Sequence, residues 1–303
     1  MDLALFAATA GCVSTILLAR SGSRPCIAGE DERGVPRSLL DVLRRHEGRL
    51  GASSRRHFYL SWSTHLNTNH GSYGTAPRLV VAAARREMDG VEAWPDLFFR
   101  QTGVERFCAI SDAVGAWVGA PPGSVALLDN ATVGVNTALR TCARDLKQGD
   151  VILVNDHTYG ACRNACMDAA ERVGARVVCT KLPFPITEPE QLVQAFVAAV
   201  QEVIAAGSRL RLVLLDHITS PTALVLPVAR IAAEVKARAP GALVVVDGAH
   251  CPLQLHVNIA RDLPAVDFYT GNLHKWAFAL KGTAFLYAAP GEVANATQGL
   301  AVR

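Results

Sequence analysis

The chain has 303 residues, half of them hydrophobic and 19% charged, below the usual charged share of about 25%. That much apolar surface offsets chain entropy and excludes a disordered chain. With 30 basic and 27 acidic residues the formal charge is +3. Spread over this length, it leaves no electrostatic footprint for nucleic acid. The length fits one large α/β domain or two smaller ones.

The N-terminus is apolar from Leu3 to Ala19, shorter than the roughly 20 residues of a spanning helix. Thr9, Gly11, Ser14 and Thr15 dilute it further, so no membrane span is expected. Asp2 stands where a signal peptide carries basic residues. Arg20–Arg37 holds Arg and Ser but also Glu30, Asp31 and Glu32, a weak transit peptide. The cytoplasm is the expected compartment, with the mitochondrion as the alternative.

Helical spacing is read over Ser38–Leu50, Arg78–Met88 and Gly103–Val118. The turn-rich Thr68–Gly74 reads as an ordered loop. From Val125 onward, short β-rich runs alternate with helical ones. The predicted strands are Val125–Leu128, Val151–Val154, Arg176–Cys179, Leu210–Leu215, Ala242–Val246, Asp267–Thr270 and Thr283–Tyr287. The predicted helices between the first five are Thr132–Leu146, Ala161–Val173, Glu190–Ala205 and Pro227–Ala237, the last opening with Pro in its first turn. This alternation predicts βαβ units and a mostly parallel sheet. Runs such as LVVV and LVLL are apolar on both faces, as strands covered by helices on each side must be. Eight cysteines contain no CxxC pair. Cys162 and Cys166 share a helix face and read as core, because no second His/Cys pair lies near them.

In an open α/β sheet, ligands bind beyond the carboxyl ends of the strands. Five strand ends carry polar groups there: Asp129–Thr132, Asn155–Gly160, Asp216–Ser220, Asp247–His250 and Gly271–Trp276. Lys275 lies among Leu273, Trp276 and Phe278. Such a pocket lowers a lysine's pKa and makes the amine nucleophilic; the alternative is a solvated lysine with its stem packed down. Asp247 ends a fully apolar strand, where a carboxylate is costly unless it meets a cation. Pyridoxal phosphate offers its pyridinium nitrogen, and a Schiff-base lysine with an Asp on that nitrogen is its binding pattern. A helix cap or a salt bridge is the other reading of Asp247. Asn130, Ala131 and Thr132 open a helix whose N–H groups and dipole favour the phosphate. Thr270 and His274 add hydrogen bonds from the lysine side. His157 or Tyr159 offers an aromatic face for the ring, and His250 reaches its phenolic oxygen.

The segments NTNHGSYGTAP, DNATVGVNTALR, VNDHTYGA, LLDHITSPTALVLPV, VVVDGAHCP and DFYTGNLHKWAFALKGTAFLY together resemble the class V aminotransferase family. Within it, the similarity is to the isopenicillin N epimerase and cysteine desulfhydrase branch. The pair VDGAH and TGNLHKW, in order and at this spacing, is the specific part. The resemblance implies fold type I, a seven-stranded mostly parallel sheet with helices on both faces, pyridoxal 5'-phosphate as cofactor, and a homodimer. It implies that Lys275 is the Schiff-base lysine, Asp247 the pyridinium partner and His250 the ring-oxygen contact. His157 takes the ring-stacking position, and Thr219 faces the ring oxygen. Ala131, Thr132, Thr270 and His274 form the phosphate cradle. Asn69, His70 and Gly71 lie over the substrate. The implied organisation is a tail over 1–36, an N-terminal helix and substrate-side loop over 37–76, a cofactor-binding domain over 77–290 and a tail over 291–303. The C-terminal small domain of the family is expected to be absent, with Arg100 or Arg106 as substitutes for its carboxylate-binding arginine.

The implied activity is chemistry on a small amino acid: C–S lyase or desulfhydrase, epimerase, or transamination. The alternative is a catalytically impaired cofactor-binding or interaction protein. A dinucleotide oxidoreductase is disfavoured because no strand is followed by GxGxxG. GxSxG and the P-loop motif are also missing from the sequence.

Overall fold

A computed structural model describes residues 52–64 and 66–292. The helix expected at Ser38–Leu50, the apolar stretch Leu3–Ala19 and the tail beyond residue 292 lie outside the described residues.

By its internal packing the chain divides into two units. The first holds residues up to Val114 together with Asn272–Thr283; the second holds Gly115–Gly271 and the residues from Ala284 onward.

The second unit is built on a seven-stranded sheet. Its strands are β1 (Val125–Leu128), β2 (Val151–Asn155), β3 (Arg176–Thr180), β4 (Leu210–Asp216), β5 (Leu243–Asp247), β6 (Phe268–Asn272) and β7 (Ala284–Ala288). The order across the sheet is β1-β7-β6-β5-β4-β2-β3. The pairs β2–β3, β2–β4, β4–β5 and β5–β6 are parallel, and β1 runs antiparallel to β7.

Among the described residues, the α-helices of four or more residues are, in chain order, α1 (His70–Tyr73), α2 (Arg78–Ala93), α3 (Gly103–Trp117), α4 (Ala131–Ala143), α5 (Gly160–Glu171), α6 (Pro189–Ala205), α7 (Val228–Arg238) and α8 (Ile259–Asp262). Asn130 starts α4: its side chain accepts the Val133 N–H at 3.0 Å, as an N-cap should. A capping box starts α6, with Glu188 and Gln191 exchanging side-chain and backbone bonds and Pro189 in the first turn.

Successive side chains of a strand point to opposite faces, and both faces here are apolar. Ile152 and Val154 of β2, Leu212 and Leu214 of β4, and Val245 of β5 join Val135, Leu139, Cys162 and Cys166 of α4 and α5 in one core cluster. The intervening Leu153, Val213, Leu215, Val244 and Val246 are also buried. On that side α6 and α7 pack on each other and on β4, with Phe196, Ile231 and Val235 buried. Helices therefore cover both faces, and Cys162 and Cys166 are core residues.

Three expectations need correction. Pro227 is not in the first turn of α7; it precedes the helix as its N-cap, with ψ 63°. Thr68–Gly74 is not all loop, since His70–Tyr73 forms a helical turn. The strands β2, β3, β4 and β5 each run one residue past the last apolar residue, onto Asn155, Thr180, Asp216 and Asp247. The ladder bonds follow the backbone and ignore the change in side-chain polarity.

Candidate active site

Three strand ends stand in register. Asp216 of β4 pairs with Asp247 of β5, and Asp247 with Thr270 of β6. Adjacent strands lie about 4.8 Å apart, so two carboxylates and a hydroxyl line one rim. All three are buried: Asp216 is 2% exposed, Asp247 5% and Thr270 0%.

Asp247 accepts the Ala249 N–H at 2.9 Å and the Cys162 thiol of α5 at 3.4 Å. Burial and the Asp247 charge push the Cys162 thiol far above its ordinary range, so it stays protonated and donates. Asp216 accepts the Tyr159 N–H at 3.2 Å and the Asn155 amide at 3.1 Å. Burial, reinforced by the Asp247 charge, pushes Asp216 up to about 6.

The turn after β2 carries His157. Its backbone N–H is held by the Asn155 side chain at 2.9 Å, and its ring Nδ1 meets Asp156 at 2.9 Å. One ring face lies against Phe184, with centroids 5.0 Å apart. Tyr159, the other aromatic candidate, is exposed.

The first turn of α4 packs on the same rim. A Cβ on Gly134 would stand 2.3 Å from Thr270 Oγ1, so only glycine lets the helix seat there. The Thr270 hydroxyl donates to the Phe285 carbonyl at 2.8 Å. In this structure its proton therefore goes to the sheet. Asn130, Ala131 and Thr132 open α4 at its positive end.

Thr219 is buried in a tight turn. Its hydroxyl meets Thr222 Oγ1 at 2.7 Å and accepts the Leu224 N–H at 2.9 Å. Next to it, His217 Nδ1 lies 3.1 Å from the Tyr269 hydroxyl. Burial pushes His217 down to about 4, so the ring is neutral. Burial and neighbouring Cys251 hold Tyr269 well above its ordinary range. His250, three residues after Asp247, is half-buried.

The first unit gathers the other candidates. Lys275 follows β6 by three residues and is half-buried. Its carbonyl receives His70 Nε2 at 2.9 Å. The His70 ring packs on Phe278 and Trp276, with centroids 4.4 and 5.7 Å away. Burial lowers the His70 pKa, and the Lys281 charge adds to this against the bond to Lys275. Gly71 is required beside them, since a Cβ there would stand 2.5 Å from the Trp276 ring. Asn69 precedes this helical turn as its N-cap residue. His274 Nδ1 lies 2.9 Å from the Thr283 carbonyl, and burial lowers its pKa. The expected substrate segment Asn69–Gly71 and the Lys275 segment are thus in contact.

Asp216, His217 and Tyr269 carry no individual role in the sequence, and Cys162 reads there only as core. Asp216 carries the same signal as Asp247, an acidic residue ending an apolar strand.

The residues fit pyridoxal phosphate by the chemistry of their donors. Asp247 accepts a backbone N–H and a thiol, Asp216 accepts two amide donors and the Thr158 hydroxyl, and the two carboxylates adjoin. A pyridinium N–H would add the positive charge that such a pair favours. The Gly134 seat brings the anion-favouring end of α4 to the same rim.

The fold has known counterparts. A cystine C–S lyase solved with cysteine persulfide superposes with a TM-score of 0.61 and 25% identity, over 75% of this chain and 58% of that one. A cysteine desulfurase from Escherichia coli superposes at 0.64, with 21% identity, over 81% and 59%. This is the fold type I architecture. A sequence profile of the family described as aminotransferase class-V matches residues 99–298. The chain therefore belongs to the class V aminotransferase family. Isopenicillin N epimerase of Streptomyces clavuligerus is 33% identical over 76% of this chain and 55% of its own length. An L-cysteine desulfhydrase of Arabidopsis thaliana is 30% identical over 72% and 49%. The chain spans about half the length of the curated relatives it matches.

Proposed function

We propose that this chain is a pyridoxal-phosphate-dependent enzyme acting on a small, sulfur-bearing amino acid by C–S bond cleavage or epimerase-type chemistry. The observation that carries the reading is Asp247, buried at the end of β5 with a second carboxylate in register beside it. The desulfhydrase and epimerase relatives support it.

In this reading Asp247 would hold a proton on the cofactor's ring nitrogen. When bound, the cofactor takes up the electron pair left as the amino acid's α-proton departs. Lys275 would hold the cofactor through Nζ and, as a free amine, would take the α-proton. His157 would support the ring face, while His250 and Thr219 would bear on the ring oxygen. Asn130, Ala131, Thr132 and His274 hold the phosphate, with Thr270 seating the helix that does so. Asn69, His70 and Gly71 face the substrate.

A proton lost and regained at the α-carbon gives the epimer. A sulfur group lost from the β-carbon gives, after addition of water, sulfide, pyruvate and ammonia from cysteine. We also propose a homodimer, on the family resemblance, and a reducing compartment such as the cytoplasm. The free thiols of Cys108, Cys142, Cys162, Cys166, Cys179 and Cys251 support the latter.

The test is incubation of the chain with pyridoxal phosphate and L-cysteine in deuterated buffer. Sulfide and pyruvate in equal amounts are expected from a lyase, and α-deuteration without sulfide from an epimerase. Absence of both sulfide and α-deuteration would overturn the proposal.

A further inference from the structure

Buried carboxylates are costly unless hydrogen bonds or cations compensate them, and a second carboxylate alongside raises the cost. Asp216 is such a group. Its burial is not explained by stability, so its partners are informative. Three donors converge on it from the last residue of β2 and the turn that follows: the Asn155 amide, the Tyr159 N–H and the Thr158 hydroxyl. They bracket His157. The Asn155 side chain completes the turn by accepting the His157 N–H, and Thr158 N–H returns to the Asn155 carbonyl at 3.1 Å.

We propose that Asp216 is a positioning residue: it pins the Asn155–Tyr159 turn, and with it the His157 ring, to the strand-end rim beside Asp247. A carboxylate is acceptor-only and can serve all three donors at once. An asparagine would present its own N–H₂ to one of them. The consequence for the cofactor rests on the function proposed above; the pinning of the turn does not.

The test compares the full chain with Asp216→Asn and with the exchanged pair Asn155→Asp/Asp216→Asn. In the exchanged pair, the amide at position 216 again accepts from Tyr159 and donates to the carboxylate at position 155. Hydrogen exchange of the cofactor-free protein reads the turn, and absorbance titration with pyridoxal phosphate reads the site. In Asp216→Asn, the amides of His157–Tyr159 are expected to exchange about tenfold faster, with the β2 and β5 amides unchanged. The dissociation constant is expected to rise about tenfold. The exchanged pair should recover both to within about twofold. Unchanged exchange in Asp216→Asn, loosening spread evenly over the whole unit, or no recovery in the exchanged pair would each overturn the proposal. If the parent chain takes up no pyridoxal phosphate, the cofactor reading fails, and the exchange data still decide the pinning. If Asp216→Asn does not fold, Thr158→Val removes one donor and should speed exchange at Tyr159 about threefold. No change there overturns the proposal.

Discussion

Asp216 and His217 are neighbours in the chain that titrate in opposite senses. Asp216 moves from an ordinary 3.8 up to about 6, and His217 from 6.5 down to about 4. Between pH 6 and 4 the folded chain keeps a proton on Asp216 that the unfolded chain releases. This contribution is fully present below pH 4 and is lost as pH rises through 6. Over a similar window the unfolded chain protonates His217 and the folded chain does not. That contribution is present above pH 6.5 and is lost as pH falls toward 4. Each slope is at most one proton, about 1.4 kcal/mol per pH unit, and the two oppose each other. Relative to the parent chain, His217→Gln should therefore gain stability from pH 6.5 to 4.5, and Asp216→Asn should lose it. Urea unfolding at several pH values checks this, and a stability difference that stays constant across the window contradicts it. Asp247 was legible in the sequence because a strand-end carboxylate demands a cation and a cofactor supplies one. Asp216 shows the same pattern, but its partners Tyr159 and Asn155 lie 57 and 61 positions away. No local spacing reveals such donors. The Cys162 contact with Asp247 spans 85 positions and was equally hidden.

At the scale of elements, the seat of α4 decides whether its first turn reaches the rim. Gly134 is buried against Thr270, which is itself bonded into β7. Gly134→Ala should destabilise the chain by about 1–3 kcal/mol through overpacking. It should also weaken pyridoxal phosphate binding, because the helix start must shift. Chemical denaturation and absorbance titration read the two effects. An unchanged affinity would show that the helix start plays no part. The parallel strands and the four helices between them were legible because both carry strong periodic signals. The strand ends were not, because polarity changes at the rim while the ladder continues. The turn His70–Tyr73 escaped notice because its small polar residues have no helical period. What fixes it is contact with the Trp276 segment, about 200 positions on.

At the scale of the whole molecule, the chain covers about half of its curated relatives, yet both cofactor-related clusters lie within it. A ligand held by the native chain alone stabilises it in proportion to its concentration, by about 2.7 kcal/mol at a hundred times its dissociation constant. Thermal unfolding should therefore rise with added pyridoxal phosphate, and pyridoxine, which has neither phosphate nor aldehyde, should leave it unchanged. The most direct single measurement is the visible spectrum of the chain with pyridoxal phosphate, followed by borohydride reduction and peptide mapping. The expected result is a visible band and, after reduction, a pyridoxyl group on Lys275 alone. No band, or label scattered over other lysines, would contradict the account.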